Sequence, residues 1–250
     1  MQALHIYPGI HELTRELCAD FYQHINRLHR KKKSIHIALS GGNTPGAFFD
    51  MLARDAGSAA DFWKPVHLYW VDERCVPPDH PESNYGMTFE RLLQKIPVTA
   101  GHVHPIRGGD DPEFECIRYA DEIRKNVPVE KGFPVFDWIF LGMGDDGHTA
   151  SIFPGNTALF DTELICARAV HPVSGQQRIT LTGKVINQAK RISFLVTGES
   201  KSPVISKVLH KEPGSELFPA SFINPVHGKL DWYLDEPAAR FIKTPGRDKQ

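Results

Sequence analysis

A few short segments of this chain carry residues able to do chemistry. Gly142-Met143-Gly144-Asp145-Asp146-Gly147-His148-Thr149-Ala150-Ser151 sets two carboxylates and an imidazole on a turn with three glycines. Histidine exchanges protons near neutral pH, and a neighbouring carboxylate can fix its tautomer and favour the imidazolium. His148 with Asp146 reads as a general base and its orienting acid; a capped loop with a surface His is the bland alternative. Metal chelation by Asp145, Asp146 and His148 finds no further ligand spacing to support it. Ser40-Gly41-Gly42-Asn43-Thr44-Pro45 reads as an anion cradle rather than a plain strand-to-helix turn. Its glycines let backbone approach a ligand, and Pro45 suits the first position of a helix whose N-terminus favours negative charge. Neither GxGxxG nor GxxxxGK[ST] occurs here, so this is not a nucleotide signature. Asp72-Glu73-Arg74 follows the apolar Tyr69-Trp70-Val71, and charges straight after a buried strand face either a site or each other. Asn84 is a polar ligand group or a helix cap. Arg178 and Lys201 are later cations, each a surface charge unless a site lies beside it.

These segments need a frame, and the apolar periodicity predicts one. Strands are expected at 4–7, 35–39, 66–71, 135–141, 164–170, 179–182, 192–197 and 230–234. One helix carries Leu13, Leu17, Phe21, Ile25 and Leu28; another opens at Pro45; others cover 85–93, 114–127 and 202–209. Such alternation implies the α/β class, a three-layer α/β/α arrangement with a mostly parallel central sheet. Without a long linker the chain reads as a single domain, 1–250, with its motifs between about residues 35 and 235. Ligands of such sheets sit beyond the carboxyl ends of the strands. Arg178, opening a strand, and Lys201, on a strand–helix turn, are expected at that edge.

Composition narrows the partners. With 29 basic and 30 acidic side chains the net charge is −1, which gives no electrostatic case for nucleic acid. No apolar run approaches the roughly 18 residues of a membrane span. The basic run Arg30-Lys31-Lys32-Lys33 reads as a solvated turn closing the first helix. Cysteines at 18, 75, 116 and 166 lack zinc-ligand or CxxC spacing, and Glu12, Glu16 and Asp20 interrupt any export signal. Reduced thiols and a cytoplasmic location are the expectation. His102-Val103-His104 would put two imidazoles on one strand face, but no third ligand is near, so no metal is expected. The C-terminal 243–250 reads as a polar, frayed tail.

Taken together, SGGNTP (40–45), VDER (71–74), SNYGM (83–87), GMGDDGHTASIFP (142–154), RITLT (178–182) and VTGESK (196–201) resemble the 6-phosphogluconolactonase family. That family lies within the group containing glucosamine-6-phosphate isomerase/deaminase. The resemblance implies a single α/β/α domain and hydrolysis of 6-phospho-D-glucono-1,5-lactone to 6-phosphogluconate in the oxidative pentose phosphate pathway, with no cofactor. It implies that Gly41, Gly42, Asn43, Thr44, Arg178 and Lys201 hold the phosphate. Arg74 and His148 would face the lactone with Asp146 beside the imidazole, and Asp72 corresponds to the proton-transfer carboxylate of the deaminases. The deaminase pattern carries Glu five positions after the His and Tyr as the third residue of the DER triplet. Here those positions are Phe153 and Arg74, and both departures favour the lactonase. A covalent route through Ser151 lacks a GxSxG elbow. The other readings are an isomerase or deaminase on the same fold and a non-catalytic phosphosugar-binding regulator. The implied partner is a small phosphosugar lactone, with neither nucleic acid nor membrane, and the chain acting as a monomer or small homo-oligomer.

Overall fold

The computed structural model describes residues 2–55 and 60–242. In chain order its strands begin β1 (Gln2–Tyr7), β2 (Ile35–Leu39), β3 (Val66–Trp70), β4 (Asp72–Arg74), β5 (Val103–His104) and β6 (Val129–Glu130). They continue β7 (Phe133–Pro134), β8 (Trp138–Leu141), β9 (Cys166–Val170), β10 (Gln177–Leu181), β11 (Arg191–Val196) and β12 (Lys229–Asp235). The helices are α1 (Ile10–His29), α2 (Asn43–Asp55), α3 (Ala60–Trp63), α4 (Asn84–Arg91), α5 (Pro112–Asn126), α6 (Gly183–Asn187) and α7 (Ser202–His210). Among the described residues no helix is long and apolar enough to cross a membrane.

Seven strands form one sheet in the order β1-β12-β11-β8-β2-β3-β5, and every neighbouring pair is parallel. All residues of β2, β8 and β11 are buried, as a strand requires when helices cover both faces of its sheet. The chain builds outward from β2 to β3 and β5, then returns across β2 to β8 and builds the other way through β11 and β12. The order therefore reverses between β2 and β8, the place where open α/β sheets bind ligands. Helix α1 buries Leu13, Leu17, Phe21 and Ile25, four residues apart along one stripe, and packs beside α2. Trp63, Trp70, Trp138 and Trp232 are among the largest fully buried side chains of the core.

Three expectations need correction. The predicted strands at 164–170 and 179–182 exist, as β9 and β10, but outside the parallel sheet. They join β4 in a separate antiparallel sheet of order β4-β10-β9. The strand expected at 135–141 shortens to Trp138–Leu141, because Asp137 turns its carboxylate to the His36 amide and to Lys32. That contact also takes Lys32 out of the solvated turn assigned to the basic run. The tail at 243–250 lies outside the described residues.

His102 and His104 are engaged in ring contacts. His67 stacks on His102 at 3.8 Å and on His104 at 5.4 Å, and lies 5.0 Å from His36, its register partner across β2 and β3. Nδ1 of His67 is 3.1 Å from Nε2 of His104, whose other nitrogen meets Glu122 at 2.7 Å. Burial, then the neighbouring imidazoles, pushes His67 down to about 3. Burial pushes His36 down to about 4, with Asp137 opposing it. An unfolded histidine takes up its proton near pH 6.5, so these folded-state depressions cost stability as pH falls below that value. The loss should level off near pH 3–4, where the folded rings also protonate. His36, only 3% exposed, contributes at most about 3 kcal/mol to this loss. Calorimetry between pH 7 and 4 should show a falling Tm, and His36→Phe should flatten that slope. An unchanged slope would mean that this ring is not held neutral.

Candidate active site

Three neighbouring parallel strands, β2, β8 and β11, deliver their following loops to one edge. After β2 the chain runs directly into α2, which opens at Asn43, two residues earlier than the Pro45 start expected from sequence. Gly42 makes this possible with φ of 103°, a conformation that costs glycine little. Gly46 N–H bonds Gly42 O at 3.0 Å, which leaves the Asn43 and Thr44 amides as the helix's first donors, unpaired among the described residues. A Cβ on Gly41 would lie 1.8 Å from Asn84 Oδ1, so only glycine admits Asn84 there. Thr44 Oγ1 meets Thr197 Oγ1 at 2.8 Å and ties this loop to the one after β11.

The antiparallel sheet brings the charges. Successive strand side chains alternate in direction, so Glu73 faces opposite to Asp72 and Arg74. Glu73 is 1% exposed and accepts hydrogen bonds from the amides of Arg74, Asn84 and Tyr85 and from Ser83 Oγ. Asp72 and Arg74 border the cleft. Arg178 stands opposite Arg74 in register, and Thr180 opposite Asp72. The Nε atoms of both arginines are buried with no hydrogen-bond partner among the described residues. Arg74 Nη1 donates to Glu82 O at 2.5 Å, whereas Arg178 makes no ion pair or side-chain hydrogen bond among the described residues. Burial, and next the Arg74 charge, lowers the Arg178 pKa from its ordinary value. Two guanidiniums side by side with orphaned donors are chemically suited to pair with an anion.

The turn after β8 carries the acid–base pair. His148 Nδ1 is 2.6 Å from Asp146 Oδ1, which also accepts the His148 amide at 3.1 Å. Burial opposes ionisation of Asp146, but the bond and charge of His148 outweigh it and hold the carboxyl below the usual range. The ring also packs at 4.9 Å from Phe153, so that position sets an apolar ring, and not a second carboxylate, against the imidazole. A Cβ on Gly144 would lie 2.2 Å from His148 Nδ1; this glycine makes room for the ring. Lys201, from the loop after β11, pairs with Asp145 at 2.7 Å, and Ser200 Oγ reaches the same carboxylate oxygen at 2.8 Å. Lys201 and Ser200 hold the Asp145 carboxyl below its ordinary pKa.

A cleft of about 280 Å³ opens among these groups. Gly41, Gly42, Asn43 and Thr44 line it from the cradle, Asp72, Arg74 and Arg178 from the small sheet, and His148 and Lys201 from the two other loops. Asp146 is not in the wall; it stands behind His148. Arg178 reaches the site from β10, not from the parallel sheet, which corrects the reading that a parallel strand end delivers it. Ser151 is fully buried and donates to Asp72 Oδ2 at 2.6 Å, so it offers no nucleophile to the cleft. Asn84 borders the cleft and donates to Asp72 O at 2.9 Å, while Ser83 is the cap of α4. Thr197 was missed by sequence reasoning; a hydroxyl at a strand end inside VTGESK was the available signal.

Fold and site together define a class: an open α/β protein with a cleft lined by cations and a carboxylate-oriented histidine at its switch point. A family model described as glucosamine-6-phosphate isomerases/6-phosphogluconolactonase matches residues 9–232. The chain belongs to that family. It is 46% identical over 209 residues to a 6-phosphogluconolactonase of Haemophilus influenzae, covering 83% of this chain and 88% of the relative. It is 38% identical over 210 residues to the Homo sapiens 6-phosphogluconolactonase, covering 82% of this chain and 81% of that one. Among solved structures, 6-phosphogluconolactonase from Trypanosoma brucei superposes with a TM-score of 0.89 at 26% identity, over 97% of this chain and 99% of that one. A monomeric glucosamine-6-phosphate deaminase shares the fold, with a TM-score of 0.77 at 23% identity, over 95% of this chain and 99% of that one.

The tight fit of Gly144 leads to an expected outcome. Gly144→Ala should force the His148 ring off Asp146 while leaving the sheet intact. The downfield Nδ1–H proton resonance of a carboxylate-bonded imidazole should disappear, with Tm shifted by no more than a few degrees. A retained resonance would show that the ring has slack the present packing denies.

Proposed function

We propose that this chain hydrolyses 6-phospho-D-glucono-1,5-lactone to 6-phospho-D-gluconate, the lactonase step of the oxidative pentose phosphate pathway. The observation that carries the reading is His148 in the cleft wall with Asp146 2.6 Å behind it, within a site whose two arginines have buried Nε atoms with no hydrogen-bond partner among the described residues. With Nδ1 bound to Asp146, His148 keeps Nε2 for a water molecule. Nε2 takes a proton from that water as its oxygen attacks the lactone carbonyl carbon, and Asp146 stabilises the imidazolium formed. Arg74 offsets the negative charge growing on the carbonyl oxygen. Collapse of the tetrahedral species breaks the ring C–O bond, and His148 returns the proton to the leaving hydroxyl. Asp72, held by Ser151, borders the same cleft and helps orient the attacking water.

The substrate phosphate is assigned to the Asn43 and Thr44 amides, the Thr44 hydroxyl, Arg178 and Lys201, with Gly41 and Gly42 allowing close approach. Helix N-termini and charge-assisted donors suit this dianion. The deaminase reading is disfavoured by Phe153, which is 2% exposed and packs on His148 where that chemistry places a second carboxylate.

Two measurements test this function. His148→Asn should lower kcat by about 10²- to 10⁴-fold with KM little changed, and should remove the acid limb on which His148 becomes protonated. A fast assay is required, because the lactone also opens spontaneously. Near-normal kcat with the acid limb intact would move the base to Asp72. Arg178→Ala should lower kcat/KM for the phosphorylated lactone roughly 10- to 150-fold, the worth of a charged hydrogen bond. Equal loss on unphosphorylated glucono-1,5-lactone would overturn the clamp.

A further inference from the structure

Asp145 has no part in that chemistry, although it adjoins Asp146 on the same turn. Its side chain is 66% exposed and does not line the cleft, whereas Lys201 is 22% exposed and does. One oxygen, Oδ1, accepts both Lys201 Nζ at 2.7 Å and Ser200 Oγ at 2.8 Å. The turn that carries it is closed on itself. Gly144 N–H bonds His148 O and Gly147 N–H bonds Gly144 O, each at 3.0 Å, and Ala220 N–H bonds Gly147 O at 2.9 Å. The carboxylate is therefore a fixed anchor, and the lysine it holds is a long, rotamer-rich side chain. An ammonium has three donors. One spent on Asp145 leaves two for an incoming phosphate. The exposure of Asp145 lets solvent and salt screen its charge from that phosphate.

We propose that Asp145 is a positioning residue that sets specificity for the phosphorylated substrate, by holding the Lys201 ammonium at the cleft before substrate arrives. The proposal rests on the reading of Lys201 as a phosphate ligand. Ordering one flexible side chain in advance removes that cost from binding, so the effect belongs in KM and not in kcat. A carboxylate that merely stapled the turn would instead disturb His148, and would slow phosphorylated and unphosphorylated lactones alike.

The test uses the full-length enzyme with Asp145→Asn, Lys201→Met and the double variant, on 6-phosphogluconolactone and on unphosphorylated glucono-1,5-lactone. Asp145→Asn should raise KM for the phosphorylated lactone about 3- to 10-fold, the cost of ordering one long side chain, with kcat within about twofold. Its loss on the unphosphorylated lactone should stay below about twofold, and the double variant should match Lys201→Met. Equal losses on both lactones, or additive losses in the double variant, would overturn the proposal. If Lys201→Met raises KM but Asp145→Asn does not, the positioning role fails and the phosphate clamp stands. If Lys201→Met leaves KM unchanged, the clamp assignment of the lysine fails and this proposal with it.

Discussion

One buried carboxylate holds the site in shape. Glu73 takes three backbone amides and a serine hydroxyl, and so locks the start of α4 to β4. Burial raises its pKa, while the amides of Tyr85, Asn84 and Arg74 pull the other way. A buried carboxylate is tolerated only where such donors surround it. With Glu73 turned inward, strand alternation turns Asp72 and Arg74 to the cleft, and the locked helix start sets Asn84 against Gly41. The cradle after β2, the small sheet and α4 are thus placed by the same anchor.

The electrostatics follow from that placement. Antiparallel pairing sets Arg178 beside Arg74, an arrangement that costs stability because like charges face each other across the ladder. Neither Nε has a hydrogen-bond partner among the described residues. A fold keeps such strain where a ligand relieves it. The loops after β8 and β11 add a different balance, since their charges are matched: Asp146 with His148 and Asp145 with Lys201. Matched pairs fix orientation, whereas the unmatched arginines leave net positive charge at the cleft, which the proposed function uses for the phosphate and the developing oxyanion.

Much of this was legible in the order of residues because the constraints were local. The helical spacing from Leu13 to Ile25, the glycines after β2 and the DGH run each encode their function within a few positions. Gly42 needs its positive φ and Gly144 needs its missing Cβ for reasons that act within a handful of residues. Elements set by distant partners were read less well. Strands β9 and β10 carry ordinary strand patterns that do not say which sheet they join. The strand before Leu141 lost its first residues to Asp137, whose partners His36 and Lys32 are about a hundred positions away.

The α/β class and the chemical types at the strand ends can be read from residue order alone, because burial periodicity and turn chemistry act over short range. Residue order also identified nearly every group of the cleft wall, since those groups stand in short motifs beside strands. It took the folded arrangement to show that Arg178 arrives on an antiparallel strand opposite Arg74, that Ser151 is buried on Asp72, and that Asp145 holds Lys201 while Asp146 holds His148. Those choices depend on register and packing between segments tens of residues apart, and no local pattern encodes a register.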